Sequence, residues 1–180
     1  EAVTVSRCTV RNVGGWAVRA TGGTSHAVVG CRVHGTGQGG VSLTGGDRPT
    51  LRAGSHRAEG NDIHDYGRWV RMGQPGVSIN GVGHAVRGNR VHDAPHMGIH
   101  FSGNDHVIED NELFNVCHES NDAGAMYAGR DWSMRGTVIR RNFLHHINGF
   151  EGRGCVGVYL DDMFCGTEIT QNVFYQVTRA

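Results

Sequence analysis

The chain has 180 residues, 38% of them hydrophobic, enough for one domain over residues 1–180 with a continuous core. Seventeen basic and seventeen acidic residues cancel, which removes the basic footprint that nucleic acid or an anionic membrane surface calls for. Every basic residue is arginine, so lysine chemistry such as Schiff-base formation is excluded, and no apolar run approaches the roughly 20 residues of a membrane helix.

Glycine is abundant, 29 residues against three prolines, which suits tightly stacked backbone with many turns. The first recurring unit centres on Cys8, with apolar Val5 three residues before it and Val10 two after. The arrangement returns at Cys31 (Val28, Val33), Asn61 (Ala58, Ile63), Asn89 (Val86, Val91), Asn111 (Ile108, Leu113), Asn142 (Ile139, Leu144) and Asn172 (Ile169, Phe174). Two short strands therefore flank each anchor. A third strand follows a loop of variable length and starts at Gly15, Gly40, Gly76, Gly98, Gly124 and Gly157. Alternation sends Trp16 and Val18, Val41 and Leu43, Val77 and Ile79, Ile99 and Phe101, Ala125 and Tyr127, and Val158 and Leu160 inward. Outward go Arg19, Ser42, Thr44, Ser78, Asn80, His100, Ser102, Met126, Ala128, Tyr159 and Asp161.

Three strands per coil, with insertions confined to one corner, predict an all-β, right-handed, single-stranded parallel β-helix. This is a pectate-lyase-like solenoid of about six to seven coils, cut at both ends. Buried Asn anchors would stack about 4.7–4.9 Å apart and bond the turn backbone, with Cys8 and Cys31 as small core residues in the same slot.

The repeat also sorts the polar residues. Of twelve histidines, His26, His56, His84 and His106 sit five before an anchor, and His34, His64, His92 and His145 sit three after one. Both sets read as stacked columns. His96, His100, His118 and His146 remain. Asp47, Asp105 and Asp131 share the turn after the third strand, and Asp65 and Asp93 share another turn position. Asp161 stands alone at an outward slot held by small residues elsewhere, and Asp162 follows it.

The longest insertions, Asn115–Tyr127 and the run from His146 to Asp162, would wall a groove on the outward face of the third sheet. Candidate catalytic residues there are Asp122, Asp161, Asp162 and Glu119. Candidate substrate-binding residues are His96, His100, His118, Tyr159 and Arg130, although Arg130 would equally pair with Asp131 or Glu119 to hold the turn. Two carboxylates across such a groove suit glycosidic cleavage, one protonating the leaving oxygen and the other acting as base or nucleophile. Asp122 lies two residues before its strand glycine and Asp161 four after, about 20 Å along a straight strand at roughly 3.3 Å per residue. They meet only if the insertion folds back.

The motifs GGDRPTL from Gly45, DAGAMYAGRDW from Asp122 and GVYLDD from Gly157, joined by NDIHDYGR and VHDAPHMGIHFSGNDHVIEDNE, resemble the β-helix domain of glycoside hydrolase family 141 and related bacterial β-helix proteins. The resemblance covers about three quarters of the chain. It implies cleavage of fucose- or xylose-containing plant polysaccharide by a secreted or periplasmic enzyme, with catalysis by Asp122 and one of Asp161 and Asp162. Poly- or oligosaccharide is then the partner, without nucleic acid or membrane, and the full-length protein is a monomer. No cofactor is expected. A polysaccharide lyase or uronate epimerase on the same scaffold is the alternative, with calcium or Arg130 neutralising the uronate. A non-catalytic carbohydrate-binding solenoid is the third reading, in which Trp69 and Trp132 either stack on sugars or simply pack. The five cysteines lack metal-binding spacing, no signal peptide is visible, and an oxidising compartment would let Cys117 and Cys155 pair.

Overall fold

The computed structural model describes residues 2–179, which wind into three parallel sheets with no α-helix. The first sheet holds Thr4–Ser6, Ala27–Val29, Arg57–Glu59, Ala85–Arg87, Val107–Glu109, Thr137–Arg140 and Thr167–Thr170. Thr9–Arg11, Arg32–His34, Asp62–His64, Arg90–Ala94, Glu112–Val116, Phe143–Ile147 and Val173–Val177 form the second. Val18–Thr21, Val41–Gly45, Val77–Val82, Ile99–Asn104, Gly124–Gly129 and Val156–Asp161 form the third. Each strand pairs with its counterpart one coil away, so the expected parallel β-helix is the observed fold.

Only one residue in two faces the axis, and those positions are apolar in every coil. Val33, Ile63, Val91, Leu113 and Leu144 occupy one column with no measurable exposure. Truncating one Leu or Ile to Ala would cost about 2–5 kcal/mol. The anchor column solves the polar problem of the tight corner between the first and second sheets. The Oδ1 of Asn89, Asn111 and Asn142 accepts both the backbone N–H and the side-chain amide of the preceding Asn, at 2.8–3.0 Å. Each amide also donates to a carbonyl one coil below. Cys31 continues the column, its N–H donating to Asn61 Oδ1 at 2.9 Å, whereas Cys8 in the outermost coil is exposed rather than a core residue.

Both histidine columns stack. His26, His56, His84 and His106 have ring centroids 4.8–5.2 Å apart. In the other column Phe114 fills the rung between His92 and His145, at 4.6 and 4.9 Å. On the outer face of the first sheet, Glu109 is buried against Arg87, Arg140 and Arg141 at 2.7–2.9 Å. Burial alone would raise its pKa, yet the three guanidiniums hold it below the usual carboxylate range. That cluster joins coils and leaves no open carboxylate.

One strand reverses the expected faces. Ala125, not Gly124, occupies the place of Gly98, because Gly98 N–H donates to Ala125 O and Ile99 pairs with Met126. Met126 and Ala128 are therefore buried, and Tyr127 faces outward with His100 and Tyr159. A one-residue change of register swaps every side chain to the opposite face. The glycine serves the outer surface instead: a Cβ on Gly124 would meet Tyr159 Cβ at 2.6 Å.

Candidate active site

The third sheet presents two outward columns to the groove. One runs Arg19, Ser42, Ser78, His100, Tyr127, Tyr159, and the other ends with Gly129 beneath Asp161. Gly129 leaves room for that carboxylate, since a Cβ there would meet Asp161 Cβ at 2.9 Å. The insertion at 115–123 does fold back. Ser120 O accepts from Phe150 N–H and from the Cys155 thiol, pinning the two long loops to each other, and Asp122 comes to face the sheet.

A cavity of about 400 Å³ results, lined by His96, His100, Asp122, Tyr127, Arg130 and Asp161 together with Met97, Ala123 and Gly129. A larger concavity, about 560 Å³, lies around Arg48 and Trp132, but Arg48 is already bonded to Asp131, Asn104 and Ser133. Chemistry rather than size distinguishes the smaller one.

Its two carboxylates differ in what they accept. Tyr127 donates its hydroxyl to Asp161 Oδ2 at 2.7 Å, and the Asp162 N–H donates to Asp161 Oδ1 at 2.9 Å. Arg130 stands 3.8 Å from Asp161 Oδ2 and 2.8 Å from Asp162 Oδ2. The Tyr127 hydroxyl first, then the backbone N–H, Tyr159 and Arg130, hold Asp161 below the ordinary aspartate range. Asp122 accepts one hydrogen bond, from the Tyr159 hydroxyl at 3.2 Å. Burial and the negative field of Asp122 and Asp161 push Tyr159 up to about 12, so it remains a donor at any working pH. The rings of Tyr127 and Tyr159 meet edge to face at 5.6 Å, and His100 stacks on Tyr127 at 6.1 Å. Burial lowers the pKa of His96 and His100, so both are neutral near pH 7, and His96 Nδ1 is enclosed without a partner.

Asp122, Asp161, Asp162, Arg130, Tyr159, His96 and His100 are thus brought together at one site. Glu119 and His118 are not. Glu119 is ion-paired with Arg71 from the third coil's loop, with His118 4.0 Å away, at the other corner of the stack. Arg130 pairs with Asp161 and Asp162 rather than with Asp131 or Glu119. Asp131 instead accepts from the Ser133 N–H and binds Arg48, as a turn residue does. Asp65 and Asp93 adopt left-handed backbone and bond the adjacent histidines at 2.7 Å. Cys117 and Cys155 are buried free thiols, His146 is exposed beside His145, and Trp69 and Trp132 are 74% and 70% exposed.

Tyr127 is the functional residue that alternation placed on the wrong face. Aligning GAMYAG with VGVYLD on their tyrosines rather than on their glycines puts Tyr127 over Tyr159 and Gly129 over Asp161, which is the observed pairing. No protein-family model, curated protein or solved structure matches the chain, so the likeness to glycoside hydrolase family 141 stands on the quoted motifs.

Proposed function

We propose that this chain is the catalytic β-helix of a glycoside hydrolase that cleaves a fucose- or xylose-containing plant polysaccharide outside the cytoplasm. The observation that carries the reading is the pair Asp122 and Asp161, brought by successive coils to the walls of one cavity, with the Tyr159 hydroxyl donating to Asp122 and lying in the field of both carboxylates. We propose the retaining outcome, for which the two carboxyl groups stand about 5–5.5 Å apart, over inversion at roughly 6.5–9.5 Å.

The unequal hydrogen bonding assigns the roles. Asp161, held ionised by Tyr127, the Asp162 N–H and Arg130, is the nucleophile. Asp122, with one neutral donor, is the acid. Asp122 protonates the glycosidic oxygen as the bond to the anomeric carbon breaks and Asp161 forms a glycosyl ester. The leaving sugar departs as an alcohol. Asp122, now a carboxylate, takes a proton from water, which attacks the anomeric carbon and frees Asp161. Asp162 keeps Arg130 in place, and neutral His100 and His96 supply donors or acceptors to sugar hydroxyls.

The test is release of reducing sugar from fucosylated and xylose-based glycans by the parent, Asp161→Asn and Asp122→Asn. Each variant is expected to lose at least about a thousandfold in rate with an unchanged melting temperature. Activity persisting in both variants would overturn the reading. Lyase chemistry is less well served, because the Arg130 guanidinium that would neutralise a uronate is already committed to two aspartates. An unsaturated product absorbing in the ultraviolet from uronate polymers would nevertheless establish it.

A further inference from the structure

Trp69 leaves most of its ring in water, although the chain has built a seat for it. Its six-membered ring lies on Gly14 and Gly37, from the two preceding coils, where an added Cβ would meet ring carbons at 2.6 and 3.0 Å. Neither glycine has a left-handed backbone, so a turn conformation does not explain them. The ring does. The loop carrying it is fixed by backbone hydrogen bonds from Gly67 to Gln38, Arg68 to Thr36, and both Trp69 and Val70 to Gly37, at 2.7–3.0 Å. Even so the residue is 74% exposed. A large aromatic clamped on one side and open on the other buries little of its own area, which is wasteful unless something else covers it.

Beside this seat lies a cavity of about 370 Å³, floored by Asn12 and Gly35, each two residues before a glycine under the ring. Arg68, His34, Asp65 and Asp93 line it. Asp65 and Asp93 each bond a column histidine through Oδ2, and Arg68 has no carboxylate partner among the described residues. Fixed donors and acceptors of both signs next to a rigid apolar platform match a ligand with alternating hydroxyls and a flat C–H face. With the cavity's other arginine, Arg71, paired to Glu119, the two aspartates outnumber its one unpaired cation among the described residues, which disfavours an acidic ligand.

We infer that Trp69 and this cavity form a second, non-catalytic binding site for a neutral saccharide, at the corner between the second and third sheets. It is separate from the carboxylate pair and stands without the catalytic reading. A site of this kind would hold the chain on an insoluble polymer.

The experiment is affinity electrophoresis of the parent, Trp69→Ala, Arg68→Ala, Gly14→Ala and Asp161→Asn through gels containing soluble xylan, fucosylated xyloglucan or polygalacturonate. Melting curves accompany each variant. The parent and Asp161→Asn are expected to be retarded equally by at least one neutral polymer, because the carboxylate pair lies outside this site. Trp69→Ala should bind at least about tenfold more weakly, as truncating a central aromatic anchor does. Gly14→Ala keeps the indole but lifts it from its seat, so it should weaken binding as well; if Trp69→Ala lowers the melting point, Arg68→Ala carries the test. The inference fails if the parent passes through both neutral gels unretarded, if Trp69→Ala and Arg68→Ala are both retarded like the parent, or if polygalacturonate is the preferred polymer. Retardation abolished by Asp161→Asn would place the binding in the catalytic groove and also overturn it.

Discussion

The inner histidine column should make the stack labile to mild acid, by an amount that follows from its bonding. His26, His56, His84 and His106 each accept a backbone N–H from the preceding coil at Nδ1, at 3.0–3.1 Å. On the other side of the ring, His84 Nε2 donates to Asn80 O at 2.9 Å and His106 Nε2 to Ser102 O at 3.0 Å. Both nitrogens are thus committed to the neutral form. Burial lowers the pKa of His84 and His106 to about 4, against the ordinary 6.5, and lowers that of His56 in the same direction. With the folded pKa depressed, the unfolded chain binds the proton first. The stabilisation is complete above pH 6.5 and is lost as the pH falls towards 4. Each of His84 and His106 then forfeits about 2 kcal/mol by pH 5 and about 3 by pH 4. The pair is expected to cost about 4 kcal/mol between pH 7.5 and pH 5, with His56 adding to it. Glu109 and Asp161, whose pKa values are lowered, contribute mainly below about pH 5, so the window above that reports the histidines, to which His34, His96 and His100 add in the same direction. Urea unfolding at pH 7.5, 6.5, 5.5 and 5.0 measures the loss, and ring-proton NMR of the folded chain follows each histidine. A change under about 1 kcal/mol across that range, or His84 and His106 titrating near 6.5 while folded, would refute the reasoning.

Asn111→Ala removes four hydrogen bonds at once: the buried Asn89 N–H loses its acceptor, the Asn89 amide keeps only its bond to Ala58 O, and Val86 O and Asn142 Oδ1 each lose a donor. A loss of about 3–5 kcal/mol is expected by denaturant unfolding, and under about 1 kcal/mol would mean that water replaces the ladder. Tyr127→Phe deletes the main donor to Asp161. The acid limb of kcat/KM should then move up towards the ordinary aspartate value of about 4, with kcat falling about tenfold to a hundredfold. An unmoved pH profile would show that Asp161 is not the titrating base.

Periodic features were legible in the chain alone, because each coil repeats the same local problem. Asn61, Asn89, Asn111, Asn142 and Asn172 recur where a tight corner needs a buried amide, and the two histidine columns recur with them. Asp161 stood out for the complementary reason: it breaks a column. The face of Tyr127 was not legible from glycine spacing, since Gly124 is crowded by Tyr159 on the next coil as closely as by Met126 O of its own strand, and one residue of register exchanges inside for outside. The aperiodic loops lay further from reach. Asp122 and Glu119 are three residues apart in one insertion, yet Asp122 turns to Tyr159 while Glu119 is drawn to Arg71, 48 residues earlier. Stacking is dictated by neighbours at a constant spacing and can be read from a repeat, whereas the path of an insertion is chosen by single long-range contacts that occur only once.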